Sequence, residues 1–134
     1  IDKLKAKAEE SGIASAVNFL GFMKKPAHFM QACDAMVLAT PCETFGLVVI
    51  EAMAAKTAMI ATKQCGPLEI IEDGVDGLLF ENGDVESLAS KIEQLTSDSA
   101  LTQRMTDKAL EVVKERFETD RQFVKLSDLL RGLE

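Results

Sequence analysis

Two glutamates eight residues apart, Glu43 and Glu51, bracket the run Glu43-Thr-Phe-Gly-Leu-Val-Val-Ile-Glu51-Ala. Carboxylates accept hydrogen bonds from vicinal hydroxyls, which ribose and hexose both offer. Between the two acids, Thr44 is placed to cap a helix and Gly46 keeps its first turn bare. Free backbone N–H groups at Phe45, Gly46 and Leu47 then form an anion site, helped by the helix dipole. Thr44 to Glu51 spans roughly 10 Å of helix, and side chains tilt toward the helix start. The pattern suits a diphosphate carrying sugars on both sides.

The expected helix, about Phe45 to Ala55, is almost wholly apolar with Glu51 as its one charge, so it reads as buried on every side. No basic residue lies within a turn of Glu51, so its partner comes from elsewhere in the fold or from a ligand. Two readings stand side by side. Glu51 accepts backbone N–H groups or a distant Lys, or it binds a ligand. Glu43 taken alone reads as an exposed loop acid.

These residues must be held by the elements around them. Residues 2 to about 11 read as a helix closed by Gly12. Val17–Leu20 is a short strand candidate, and Pro26 opens a helix reaching Ala32 or Cys33. Further strand candidates are Ala35–Ala39, Ala58–Ala61 and Leu78–Phe80, with a short helix at about Leu68–Glu72. Asn82-Gly83 is a turn, and Asp84 caps a helix from about Val85 to Leu95. Ser99–Phe117 and Thr119–Leu133 close the chain as two helices. Continuous apolar strands alternating with helices indicate an α/β fold with a parallel sheet covered on both faces. Such sheets bind ligands at the carboxyl ends of their strands. That places Gly21–Lys25, Thr40–Thr44, Thr62–Pro67 and the segment after Phe80 at the ligand side.

Composition narrows the classes. A chain of 134 residues, 47% hydrophobic, suits one domain with a real core. No apolar run approaches the roughly 20 residues that span a bilayer, and the charged N-terminus is no signal peptide. Without an initiator Met, residue 1 reads as a cut point in something longer. A net charge of −7, all four arginines in the last third, and no Trp or Tyr argue against nucleic-acid binding. Cys33, Cys42 and Cys65 form no C-x-x-C pair and are odd in number, so they are expected to be free thiols in a reducing cytoplasm. The single His28 gives no zinc set with them.

At this point the residues resemble a family. The run Glu43 to Ala52 is similar to the E-x7-E segment of retaining glycosyltransferases with the GT-B fold, glycosyltransferase family 4 in particular. Val17-Asn-Phe-Leu-Gly-Phe22, Ala32-Cys-Asp-Ala-Met-Val-Leu-Ala-Thr-Pro41 and Gly66-Pro-Leu-Glu-Ile-Ile-Glu-Asp-Gly-Val-Asp-Gly77-Leu-Leu resemble neighbouring segments of the same family, in the same order. The likeness is close over about residues 1–96 and looser beyond. It implies a Rossmann-like, partial C-terminal domain of a GT-B fold over 1–117. A helix over 118–134 would pack on an N-terminal domain outside this chain.

By resemblance, Glu43 contacts hydroxyls of the transferred sugar at the reaction centre, and Glu51 holds the ribose hydroxyls. Thr44, Phe45, Gly46 and Leu47 meet the sugar and diphosphate, and Gly21, Phe22 and Met23 lie near the base. The implied reaction moves a sugar from a nucleoside-diphosphate sugar to an unnamed acceptor in polysaccharide, lipopolysaccharide or glycolipid synthesis. It uses no cofactor and no metal. The family's Arg and Lys for the diphosphate lie on strands upstream of this chain, so the piece alone is expected to be inactive. In the implied strand order 3-2-1-4-5-6, the two upstream strands fall between Val17–Leu20 and Ala35–Ala39. An apolar face left bare on the last helix would drive self-association. Peripheral membrane association of the full enzyme is compatible with such products. Two family glycines are replaced, by Lys56 and Cys65. Nucleotide-sugar epimerases and sugar phosphorylases of the same fold, or a non-catalytic binding module, are the competing readings.

Overall fold

The structure, a computed structural model, describes residues 1–24 and 26–118. In chain order the elements are α1 (Asp2–Glu10), a 3-10 turn (Ala14–Ala16), α2 (Pro26–Met30), β1 (Ala35–Leu38) and α3 (Leu47–Ala54). There follow β2 (Ala58–Thr62), α4 (Gly66–Ile70), β3 (Leu78–Phe80), α5 (Val85–Ser97) and α6 (Ser99–Arg116). The three strands pair in parallel, in the order β1-β2-β3, with Leu38 opposite Ala61 and Thr62 opposite Phe80.

The continuous apolar strands are explained by cover on both faces. All five residues of β2 are buried. Met59 and Ala61 face Val49, Ala52 and Met53 of α3 and Ala109 of α6. Ala58 and Ile60 face the other way, with Leu78 and Phe80 of β3, onto Leu95 of α5 and Met105 of α6. Burying side chains such as Met53, Met59 or Ile60 contributes about 1.5–3 kcal/mol each. The α/β expectation and the 4-5-6 part of the implied strand order both hold.

Caps and side-chain ties set the helix limits. Asp84 accepts from the Ser87 N–H at 2.9 Å and Asp98 from the Leu101 N–H at 2.8 Å, which starts α5 and α6 where the sequence places them. The Thr57 hydroxyl donates to the Met30 carbonyl at 2.6 Å and joins α2 to the entry of β2. The Arg116 guanidinium donates to the carbonyls of Glu69 (2.6 Å) and Ile70 (3.2 Å), satisfying the C-terminal end of α4. Before β3, Asp73 accepts from the Leu79 N–H and buried Asp76 from the Glu72 N–H.

Two expectations differ from the structure here. Val17–Leu20 forms no strand, because no described strand lies beside it to complete a ladder; Phe19 and Leu20 are exposed. The segment at 66–70 begins its helix at Gly66, two residues early, with Pro67 in its first turn. The expected helix over Thr119–Leu133, and the packing of residues 118–134 on another domain, fall outside the described residues apart from Glu118.

Candidate functional site

The site is built where β1 and β2 end. Their register pairs Leu38 with Ala61. Cys42 and Cys65 each stand four residues beyond that pair, in loops leaving adjacent strand ends. The structure joins them in a disulfide with Cα atoms 5.5 Å apart, and leaves Cys33 free. The expectation of three free thiols is therefore corrected. Residues 23 apart in sequence meet through strand register, which cysteine spacing does not encode.

Two hydrogen bonds run parallel to the bridge. The Thr62 hydroxyl donates to the Thr40 carbonyl at 2.6 Å, and the Gly66 N–H donates to the Glu43 carbonyl at 2.8 Å. Gly66 is glycine because the loops touch: a Cβ there would meet the Phe45 carbonyl group at 2.7 Å and the Glu43 oxygen at 2.8 Å. The 40–46 loop is thus seated directly on the start of α4.

Gly46, not Thr44, is the residue that starts α3. It has φ +87°, a left-handed conformation that L side chains adopt at a cost. No side chain caps the helix from that position. Instead the Gly46 N–H donates to the Glu43 carboxylate (Oε1) at 3.4 Å, a long contact. The Leu47 and Val48 amides belong to the first turn and have no helical acceptor. Phe45 and Leu47 are exposed beside them. A carboxylate and first-turn amides without a helical acceptor therefore meet at one helix start.

Glu51 corrects the expectation of a helix buried all round. Val49, Ala52 and Met53 form the buried face of α3, whereas Glu51 is exposed. Its charge stays in water, so no protein partner is required, and the question raised by a buried carboxylate dissolves. Six of the residues singled out from the sequence, Glu43, Thr44, Phe45, Gly46, Leu47 and Glu51, lie on this one loop and helix. Gly21, Phe22 and Met23 lie in an irregular segment, with Phe22 91% exposed. Among the described residues no hydrogen bond ties that segment to the loop at 43–47.

Of the nearby cations, Lys63 reaches Glu81 at 3.4 Å, with both side chains largely exposed. Sequence reasoning missed Cys42, Cys65, Thr40 and Thr62 as fastenings of the site. The Gly66-Pro67 pair was visible as a turn, but its role as a contact point was not. A hollow of about 230 Å³ where β1 and β3 end is lined by Ala39, Phe80, residues 82–85 and Leu88, and Glu43 takes no part in it. Among the described residues no group of three or more His, Cys, Asp or Glu side chains is placed to hold a metal ion, and no helix is long and apolar enough to cross a membrane.

The two glycine replacements share a positive φ. Lys56 (φ +60°) and Cys65 (φ +52°) are the non-glycine residues with positive φ among those described. A glycine at either place would avoid the left-handed cost, which is the physical sense of the family pattern.

Comparison with known proteins bears on the family and the fold. The family described as "Glycosyl transferases group 1" matches residues 2–112. The lipopolysaccharide core biosynthesis glycosyltransferase LpsE of Rhizobium meliloti is 31% identical over 116 residues, covering 87% of this chain and 34% of the relative. The N-acetyl-alpha-D-glucosaminyl L-malate synthase of Bacillus anthracis is 37% identical over 109 residues, covering 81% of this chain and 29% of the relative. The crystal structure of Anabaena Alr3699/HepE in complex with UDP superposes with a TM-score of 0.91 at 29% identity, over 98% of this chain and 36% of that one. The chain spans about a third of the length of these relatives. From its sequence match, its parallel α/β sheet and its loop at the strand ends, the chain belongs to the group 1 glycosyl transferases.

Proposed function

We propose that this chain is the donor-binding part of a retaining glycosyltransferase that takes its sugar from a nucleoside diphosphate. The observation that carries the reading is the junction of the Glu43 carboxylate with the first-turn amides at the start of α3, a helix that also carries exposed Glu51. In this reading the amides of Gly46, Leu47 and Val48 receive the diphosphate oxygens, and Glu51 accepts from the ribose hydroxyls. Glu43 accepts from hydroxyls of the transferred sugar. Its 3.4 Å contact to Gly46 is weak enough to be exchanged for ligand. Fixed amides aimed at the departing diphosphate stabilise charge that grows in the transition state. The Anabaena Alr3699/HepE structures in complex with UDP and with UDP-glucose, at 29% and 28% identity, support a uridine nucleotide as the first donor to test.

Calorimetric titration of the full-length protein with UDP tests the reading. Hydrogen bonds to a charged group are worth about 1.5–3 kcal/mol, so Glu51→Gln should weaken UDP binding roughly 10- to 100-fold. Being exposed, Glu51 is not needed for the fold, and the melting temperature should stay put. Saturable binding that is indifferent to Glu51, or no binding of any nucleoside diphosphate, refutes the proposal.

A further inference from the structure

We propose that Cys42 and Cys65 form a reversible thiol–disulfide site that controls the order of the loops holding Glu43 and Gly46. The bridge is placed against the candidate site: Cys42 precedes Glu43, and Cys65 precedes Gly66, whose N–H holds the Glu43 carbonyl. Both cysteines are exposed, so a small thiol or disulfide reaches them from solvent. Cys65 is also held at φ +52°, with the backbone of residues 43 and 45 packed against the next residue. Once the bridge is opened, two hydrogen bonds, Thr62 to Thr40 and Gly66 to Glu43, are left to hold the loops together. Each is a single neutral hydrogen bond, a modest tie even though Thr62 and Gly66 are buried. Movement of Cys65 out of its left-handed conformation displaces Gly66 and releases the Glu43 carbonyl with it.

The chemistry is thiol–disulfide exchange with a low-molecular-weight disulfide such as oxidised glutathione. One cysteine thiolate attacks a sulfur of the small disulfide, forming a mixed disulfide and expelling one thiolate. The second cysteine thiolate attacks the protein sulfur of that mixed disulfide and expels the other. Two cysteine thiols and one small disulfide become one bridge and two small thiols, with the two protons passing to the expelled thiolates. A dithiol reductant runs the steps in reverse. The bridge restricts the loop to the conformation seen in the structure, so the open form has a smaller binding-competent fraction.

The effect on ligand binding rests on the donor reading above; the order of the loops does not. The full-length protein is equilibrated with oxidised glutathione or with dithiothreitol. Alkylation and mass spectrometry then identify the free thiols of this chain, and amide hydrogen exchange follows residues 40–47 and 64–70. The expected result is alkylation at Cys33 alone after oxidation and at all three cysteines after reduction. Exchange at Gly46 and Gly66 should quicken about ten-fold in the reduced form, and UDP should bind about ten-fold more weakly. The double variant Cys42→Ser, Cys65→Ser should sit at the reduced values in both media, whereas Cys33→Ser should keep the two-state response. Alkylation of all three cysteines after oxidation overturns the proposal, as does equal exchange in the two forms. If UDP binds neither form while exchange still responds to oxidation, the donor reading falls and the thiol–disulfide site stands.

Discussion

At the scale of single residues, backbone conformation accounts for more of this site than side-chain chemistry does. Lys56 leaves α3 with φ +60° and pairs with Asp107 of α6, whose carboxyl it holds below the ordinary range. Lys56→Gly should remove a left-handed cost of about 1 kcal/mol while losing only an exposed ion pair, for a net gain in stability. Lys56→Ala keeps the strain and loses the pair, so it should be less stable than the parent; denaturant midpoints of the two variants decide this. Asp76 is a second case. Burial pushes its carboxyl above the ordinary value, against the Glu72 N–H bond that favours the ionised form. The folded protein therefore binds this proton more tightly than the unfolded chain. The resulting stabilisation is complete below the unfolded value and is lost as pH rises through the raised folded one. Asp76→Asn keeps an oxygen acceptor for Glu72 and has no proton to lose. Its melting temperature relative to the parent should rise as pH increases from 3 to 7, whereas a constant offset would contradict the account.

At the scale of elements, the contact between the 40–46 loop and the start of α4 is the joint on which the site turns. Gly66→Ala places a methyl group within 2.7 Å of the Phe45 backbone, and neither side is a flexible side-chain end. The loops must part, which should cost about 1–3 kcal/mol and weaken UDP binding through loss of the Gly66-to-Glu43 bond. Urea unfolding and a UDP titration read the two effects, and a variant as stable as the parent would show that the loops are not in contact. The helices themselves were legible because their signals are local. Asp84 caps α5 as expected, and Asp98 caps α6 by the same local contact, since a cap needs only residues three apart. The start of α3 was less legible: Thr44 has the right chemistry for a cap, but the left-handed turn at Gly46 moves the helix start beyond its reach.

At the scale of the whole molecule, the sheet is covered on its faces and open at one side. β1 pairs only with β2 among the described residues, and its Val37 is 39% exposed. Phe19, Leu20 and Phe22 are exposed as well. Unpaired strand edges and bare apolar side chains favour association. The 134-residue chain by itself should therefore show concentration-dependent self-association despite its charge of −7. Sedimentation equilibrium at high concentration checks this; a single monomer mass throughout would rule it out. The amino-acid sequence by itself determined the α/β class, the parallel strands and the E-x7-E segment, because alternation of apolar runs and residue spacing are written along the chain. Tertiary structure alone decided that Glu51 faces water, that Cys42 meets Cys65, and that Gly66 closes the loop on Glu43. Each of these depends on which strand ends lie side by side and which face of α3 turns inward, and those are relations between segments rather than properties of any one.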